Sequence, residues 1–415
     1  MKGLVEKWKA LGPGILFAGT AIGVSHLVQS TRAGADYGWT LWWAILAANL
    51  FKYPFFEIGS RYAAATGESI LEAYLKQGRV WLWLYAGLTI SSMFAVTAAV
   101  GLVTGALIAN LSGGFLDAQQ GTVLILSLGA LVLWVGGYHG LDRSMKILGL
   151  ILVVVTLWVF VLALSGDEPQ NGSLVIRFDW SDRTDFFFLI ALMGWMPTAL
   201  DLSSWNSLWT LEKAKDEGRN FSMRQVLFDF RLGYLISAGL AFLFLGIGAL
   251  LLFGRGENFP DGAIGFTEKL IQVYTTTLGG WSRPLILISS LSIMISTSFS
   301  VLDGFGRVMD RNTELLVGVG GTKGSYRLWI SIVLFGGLSL IYVFPSGFKP
   351  LIDLATTLSF IIAPVIAFLN MRALRLPDFP EEHLPGVRMR ILIRMGFLFL
   401  ILFTVGYLGM LLISE

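Results

Sequence analysis

Most of this chain is apolar, and the few side chains able to do chemistry stand out against that background. His26 lies in Gly23-Val24-Ser25-His26, in the middle of the apolar stretch 11–38. An ionisable group at membrane depth is costly and marks a functional position by default. His26 offers a metal a neutral imidazole, or a proton a site near neutral pH; the plainer alternative is a histidine hydrogen-bonded inside the protein. Met196 stands beside Pro197 in a second stretch, 185–210. Its thioether suits a transition metal and suits magnesium or calcium poorly, although methionine in a helix is more often packing. Asp201 follows one turn later, either as a charge for a bound ion or as the partner of a buried base. Thr297-Ser298 sets two hydroxyls side by side in a Ser- and Thr-rich run. Bonds back to the helix or across to a neighbour explain most such residues.

Other chemistries lack their residues. There is no cysteine, which excludes disulfides, thiolate metal sites and cysteine nucleophiles. The three histidines, His26, His139 and His383, are far apart and form no HExxH spacing. No phosphate-binding GxxxxGK[ST] loop, nucleophile elbow or paired-carboxylate constellation occurs, so the sequence supports no enzyme. Lys52 with Glu57, and Asp229 with Arg231, read as structural pairs or interface residues. Nothing points to nucleic acid.

The elements that must hold these residues are membrane helices. The 415 residues are 55% hydrophobic and 14% charged, and mean hydropathy is +0.70. Soluble domains carry roughly 25% charged residues, so this is an all-α polytopic membrane protein with the lipid bilayer as its main partner. Helices of about 20 apolar residues fit at 12–36, 39–62, 80–110, 121–140, 145–165, 185–210, 228–253, 282–304, 326–345, 350–371 and 391–413. That makes about eleven crossings in one transport domain spanning 1–415. The run at 261–278 is too short to cross and reads as an amphipathic segment on the outer surface; 371–390 reads as a cytoplasmic loop. The charged start, Lys2, Lys7 and Lys9, runs into an apolar stretch too long for a cleavable signal peptide.

Basic residues favour cytoplasmic loops. They follow the even-numbered spans: Arg61, Lys76 and Arg79; Arg143 and Lys146; Lys213, Lys215, Arg219, Arg224 and Arg231; Arg307, Arg311, Lys323 and Arg327; Arg372, Arg375, Arg388 and Arg390. The loop 165–185 is acidic. This pattern places the N-terminus in the cytoplasm and the C-terminus outside, in the plasma (inner) membrane.

Spans one and six are interrupted, around 21–26 and 193–198. Pro197 removes an amide donor and clashes with the preceding turn. A broken spanning helix persists only where it lines a cavity, and transporters place cargo at such breaks. Breaks in spans one and six divide the chain into repeats at 12–165 and 185–371 with an extra helix at 391–413, the LeuT-type five-plus-five inverted repeat.

A family likeness rests on specific residues. Gly12-Pro13-Gly14 opening span one, the exit Ala33-Gly34-Ala35-Asp36-Tyr37-Gly38, the stretch 39–67, Met196-Pro197, and Val301-Leu302-Asp303-Gly304-Phe305 ending span eight resemble the Nramp family of divalent-metal transporters. The resemblance implies the LeuT-type fold and secondary active transport. In the family the first break reads DPGN; here the carboxylate is replaced by Gly23 and the asparagine by His26. The family's methionine is kept as Met196, and its two histidines in span six are Thr198 and Ser203. Its charged proton route is missing from spans three and nine. The family's Ala-Gly in span eight is Thr297-Ser298; in sodium-coupled LeuT-fold transporters such a hydroxyl pair holds sodium together with carbonyls of the first break, here Ala21 or Val24.

These residues give an expected cargo site of Ala21, Gly23, Ser25, His26, Met193, Met196, Thr198 and Asp201. Met196 and His26 are its candidate metal ligands, and Ala21, Val24, Thr297 and Ser298 its sodium site. The function expected is secondary transport of a small inorganic ion, first of all a divalent metal cation, coupled to sodium. The alternative is sodium-coupled uptake of a small anion such as bicarbonate, or of an organic solute, since loss of the break carboxylate exposes helix N-terminal amides to an anion. A non-transporting sensor is a third reading. A bound sodium ion is the single non-protein component expected.

Overall fold

A computed structural model describes residues 12–164, 178–218, 221–254, 259–260, 262–343 and 348–412, with the side chains of 136–149 and 152 left out. Lys2, Lys7, Lys9, Arg219 and the acidic stretch 165–177, and the side chains of His139, Arg143 and Lys146, therefore lie outside it. The first apolar stretch is α1 (Pro13–Ala21), a π-helical turn (Ser25–Ser30) and α2 (Thr31–Tyr37). There follow α3 (Trp42–Thr66), the short α4 (Ile70–Gln77), α5 (Arg79–Leu111) and α6 (Ala118–Leu164). The second broken stretch is α7 (Arg183–Gly194) and α8 (Leu202–Asp216). Then come α9 (Met223–Leu251), α10 (Ala263–Leu278), α11 (Arg283–Val317), α12 (Lys323–Val343), α13 (Phe348–Ala373) and α14 (Val387–Leu412).

Twelve of these fourteen helices lie in the expected apolar spans, within a few residues at most ends, and α10 is the expected short amphipathic helix. Span eight is longer than its apolar stretch: α11 runs on to Val317 because its charged last turns continue past the apolar core. Spans four and five fall in one helical element, Ala118–Leu164. Its ends lie at the same end of the bundle. The Thr122 hydroxyl donates to the Gly101 carbonyl near the end of α5, and Phe160 packs on Gly246 near the end of α9. Trp134, between them, accepts from Arg327 at the opposite end, so the chain turns back within α6.

That opposite end is the basic one, and its bonds tie together the loops that the charge pattern grouped. Arg61 donates to the His383 carbonyl, Arg79 to the Leu316 carbonyl, and Arg231 pairs with Glu57 at 3.1 Å. Arg307 reaches Glu212 at 3.6 Å and Arg311 pairs with Glu72. At the other end the Tyr37 hydroxyl donates to Asp185 at 2.8 Å and Arg32 pairs with Asp353 at 2.9 Å.

Both halves of the first broken helix lean on α9 through glycine. A β-carbon on Gly233 would lie 1.9 Å from the Gly14 carbonyl oxygen, and one on Gly248 would lie 2.1 Å from that of Thr31. Small residues permit this backbone approach, and the dispersion contacts it brings replace the hydrophobic drive that lipid removes. Asp229 of α9 accepts from the amides of Gly12 and Gly14 at 3.1 and 2.7 Å, satisfying donors that the start of a helix leaves open.

Candidate functional site

The two breaks face each other. In the first, regular helix stops at Ala21, bends through Ile22-Gly23 and is helical again from Val24, as a π-helix over Ser25–Ser30. The break expected around 21–26 is thus confined to Ile22-Gly23, and Val24, Ser25 and His26 belong to the helix that follows. In the second, α7 ends at Gly194 and α8 starts at Leu202. Irregular backbone occupies 195–201, so the break lies mostly after Met193 and extends past the cis Met196-Pro197 bond. The Ser25 hydroxyl bridges the breaks, 3.3 Å from the Pro197 carbonyl and 2.7 Å from that of Ala21.

Between the breaks and α11 lies a cavity of about 30 Å³. Of the expected cargo residues, Ala21, Ser25, Thr198 and Asp201 line it, joined by Val24 and Thr297 of the expected sodium site. Thr20, Trp195 and Trp205 complete its polar and aromatic wall. Asp201 is 8% exposed, and its Oδ1 has no hydrogen-bond partner. Among the described residues no three His, Asp or Glu side chains cluster as a metal site.

The two expected metal ligands point elsewhere. His26 is fully buried and turns toward α9. Its Nε2 donates to the Ser237 carbonyl at 2.8 Å, its Nδ1 lies 2.7 Å from the Ser25 hydroxyl, and its ring meets Phe244 edge-on. The sulfur of Met196 accepts from the Ser30 hydroxyl at 3.8 Å, one turn beyond the cavity. The sodium set is also split. Thr297 faces the first break, donating to the Gly19 carbonyl at 3.2 Å or the Ile293 carbonyl at 3.1 Å. Ser298 faces α5, 2.9 Å from the Thr104 hydroxyl. Neighbouring residues on a helix point about 100° apart, and here the two hydroxyls meet different partners.

Lys52 and Glu57, read from the sequence as a structural pair or interface residues, do not pair: each bonds elsewhere. Lys52 is fully buried on α3. Its ammonium donates to the carbonyls of Met193 at 3.2 Å, Gly194 at 2.9 Å and Thr198 at 2.8 Å. Met193 therefore does not line the cavity and meets Lys52 through its carbonyl. Glu57 instead pairs with Arg61 and Arg231, and Asp229, expected beside Arg231, caps α1. A lysine in the middle of a spanning segment was the available signal, since such a group implies a partner at the same depth.

Comparison with known proteins agrees with this architecture. The Nramp model, described as natural resistance-associated macrophage protein-like, matches residues 14–410. An uncharacterised protein of Pasteurella multocida is 32% identical over 97% of this chain and 93% of its own. The divalent metal cation transporter MntH of Chromohalobacter salexigens is 26% identical over 72% of each chain. In the fold, a crystal structure of the Eremococcus coleocola manganese transporter superposes with a TM-score of 0.66 at 12% identity, covering 96% of this chain and 85% of that one. The LeuT-type helical fold and the match along nearly the whole length lead to one conclusion: this chain belongs to the Nramp family of membrane transporters.

Proposed function

We propose that this protein is a secondary transporter of a small divalent metal cation, with Asp201 supplying the negative charge at its site. The observation that carries this reading is the buried Asp201 carboxylate, whose Oδ1 has no partner beside a cavity shared by both breaks. Lys52 offsets part of this buried charge, and a cation bound at the free Oδ1 would compensate the rest. The hydroxyls of Thr20, Ser25, Thr198 and Thr297 surround the cavity, a set of hard oxygen donors that favours manganese or magnesium over softer metals. About 30 Å³ admits a water or a single ion, whereas organic ligands occupy pockets of roughly 300 Å³ or more.

With Gly23 in place of a carboxylate, manganese binding is weaker than in relatives that keep one. Thr297, beside Ala21 and Val24, is the position from which sodium would couple to closure of the first break, because an ion drives a change only if it prefers one conformation. The repeats at 12–165 and 185–371, the cytoplasmic N-terminus and the inner-membrane location complete the reading; the clustering of bases at one end supports the orientation.

The test is flux into liposomes of manganese, magnesium, bicarbonate and small organic acids, with and without a sodium gradient. Metal uptake that Asp201→Asn reduces at least tenfold is the expected result. Bicarbonate uptake insensitive to Asp201→Asn would replace this reading with the anion one, and no flux of any solute would leave the sensor.

A further inference from the structure

We propose that Lys52 is a built-in cation: its ammonium fills a three-carbonyl site at the second break that would otherwise need a bound monovalent ion. The inference goes beyond the cargo reading and does not depend on it.

Three observations carry it. First, α7 ends at Gly194, and the last carbonyls of a helix have no partner within it. Those of Met193 and Gly194 converge with the Thr198 carbonyl from the irregular segment on a single point, the Lys52 nitrogen. An ammonium has three donors and no acceptor, so three carbonyls at 2.8–3.2 Å match it completely. Second, the position is the negative end of the α7 dipole, where positive charge is favoured. Third, the nitrogen reaches it from another helix, α3, on a stem that is wholly buried. The Asp201 carboxylate lies within electrostatic reach of the same ammonium. Lys52 therefore holds 193–198 in shape and offsets part of the charge that Asp201 presents to the cavity, without a dissociable ion.

The geometry predicts chemical complementation. Truncation to K52A opens a channel along the lost stem and removes the ammonium from all three carbonyls, that of Met193 keeping its backbone amide donors; K52M also removes the charge but keeps the channel filled. The full-length protein is purified in detergent, and its melting temperature is read by tryptophan fluorescence in methylammonium chloride or in choline chloride of equal concentration. K52A is expected to melt several degrees below wild type and to regain at least half of that loss in methylammonium but not in choline. K52M is expected to melt low in both, and wild type to be indifferent. A folded K52A that ignores methylammonium, or a K52M with wild-type melting, overturns the proposal. If K52A is recovered folded only when purified in methylammonium, the proposal stands; if it is recovered in neither salt, the proposal fails. The readout involves no transported solute, so it separates this inference from the identity of the cargo.

Discussion

A β-carbon on Gly23 would sit 2.9 Å from both Oγ1 and Cγ2 of Thr297. Gly23, which the resemblance matches to the family's break carboxylate, is thus closed off by a side chain from α11. Thr297 is β-branched and its hydroxyl is engaged, so it cannot rotate away cheaply. Gly23→Asp alone is therefore expected to cost roughly 1–3 kcal/mol through overpacking and to leave manganese binding no stronger. Gly23→Asp with Thr297→Ala should recover much of that stability and tighten manganese. Denaturation midpoints and calorimetric titration of the three variants check this, and a tighter single variant would show that the contact relaxes.

The split of the hydroxyl pair makes two separable predictions. Thr297→Ala should raise the sodium concentration needed for uptake severalfold. Ser298→Ala, which loses only the contact to Thr104 and its bond to the Met294 carbonyl, should lower stability by about 1 kcal/mol with sodium dependence unchanged. Uptake against sodium concentration, with potassium or choline as replacement, distinguishes them. Equal uptake in all three salts would remove the sodium reading.

His26 and Met196 should behave as packing residues. His26→Ala removes a bond to the Ser237 carbonyl, which stays in the ladder of its own helix, and the loss of such a bond costs about 0.5–1.5 kcal/mol. Met196→Leu conserves volume and should cost less than about 1.5 kcal/mol. Neither should change the ratio of manganese to magnesium uptake in a competition assay. A shift of tenfold in that ratio would place either side chain at the cargo in another conformation of the cycle.

Asp303 ties three helices, α8, α11 and α12, together. It is fully buried and accepts from Arg307 Nε at 2.8 Å, from the Trp209 indole at 2.9 Å and from the Tyr326 hydroxyl at 2.5 Å. Asp303→Ala removes one partner of a buried ion pair, a loss of roughly 3–5 kcal/mol. Chemical denaturation should show it directly, and a cost under about 1 kcal/mol would mean that Glu212 takes over Arg307.

The sequence by itself determined the spans, the two interruptions, and which loops share an end of the bundle. Those properties are local: about 20 apolar residues suffice to cross, Pro197 and Gly23 interrupt regular helix where they stand, and the bases gather between spans. It also carried the family, through motifs spread from Gly12 to Phe305. Asp201 was legible for the same reason, since a carboxylate inside an apolar helix has few innocent places to go.

Only the tertiary structure decided direction. A spanning helix that is apolar all round carries no amphipathic stripe to say which face meets which neighbour. Hence His26 turns to α9 and not to the cavity, Thr297 meets the first break while Ser298 meets α5, and the Met196 sulfur goes to Ser30. Lys52 was visible as a charge, but its three carbonyl partners come from another segment about 140 residues away, and they converge because α7 stops at Gly194 and the chain is irregular through Thr198. Backbone oxygens leave no mark in a sequence, so a site built from them becomes legible only when the chain is folded.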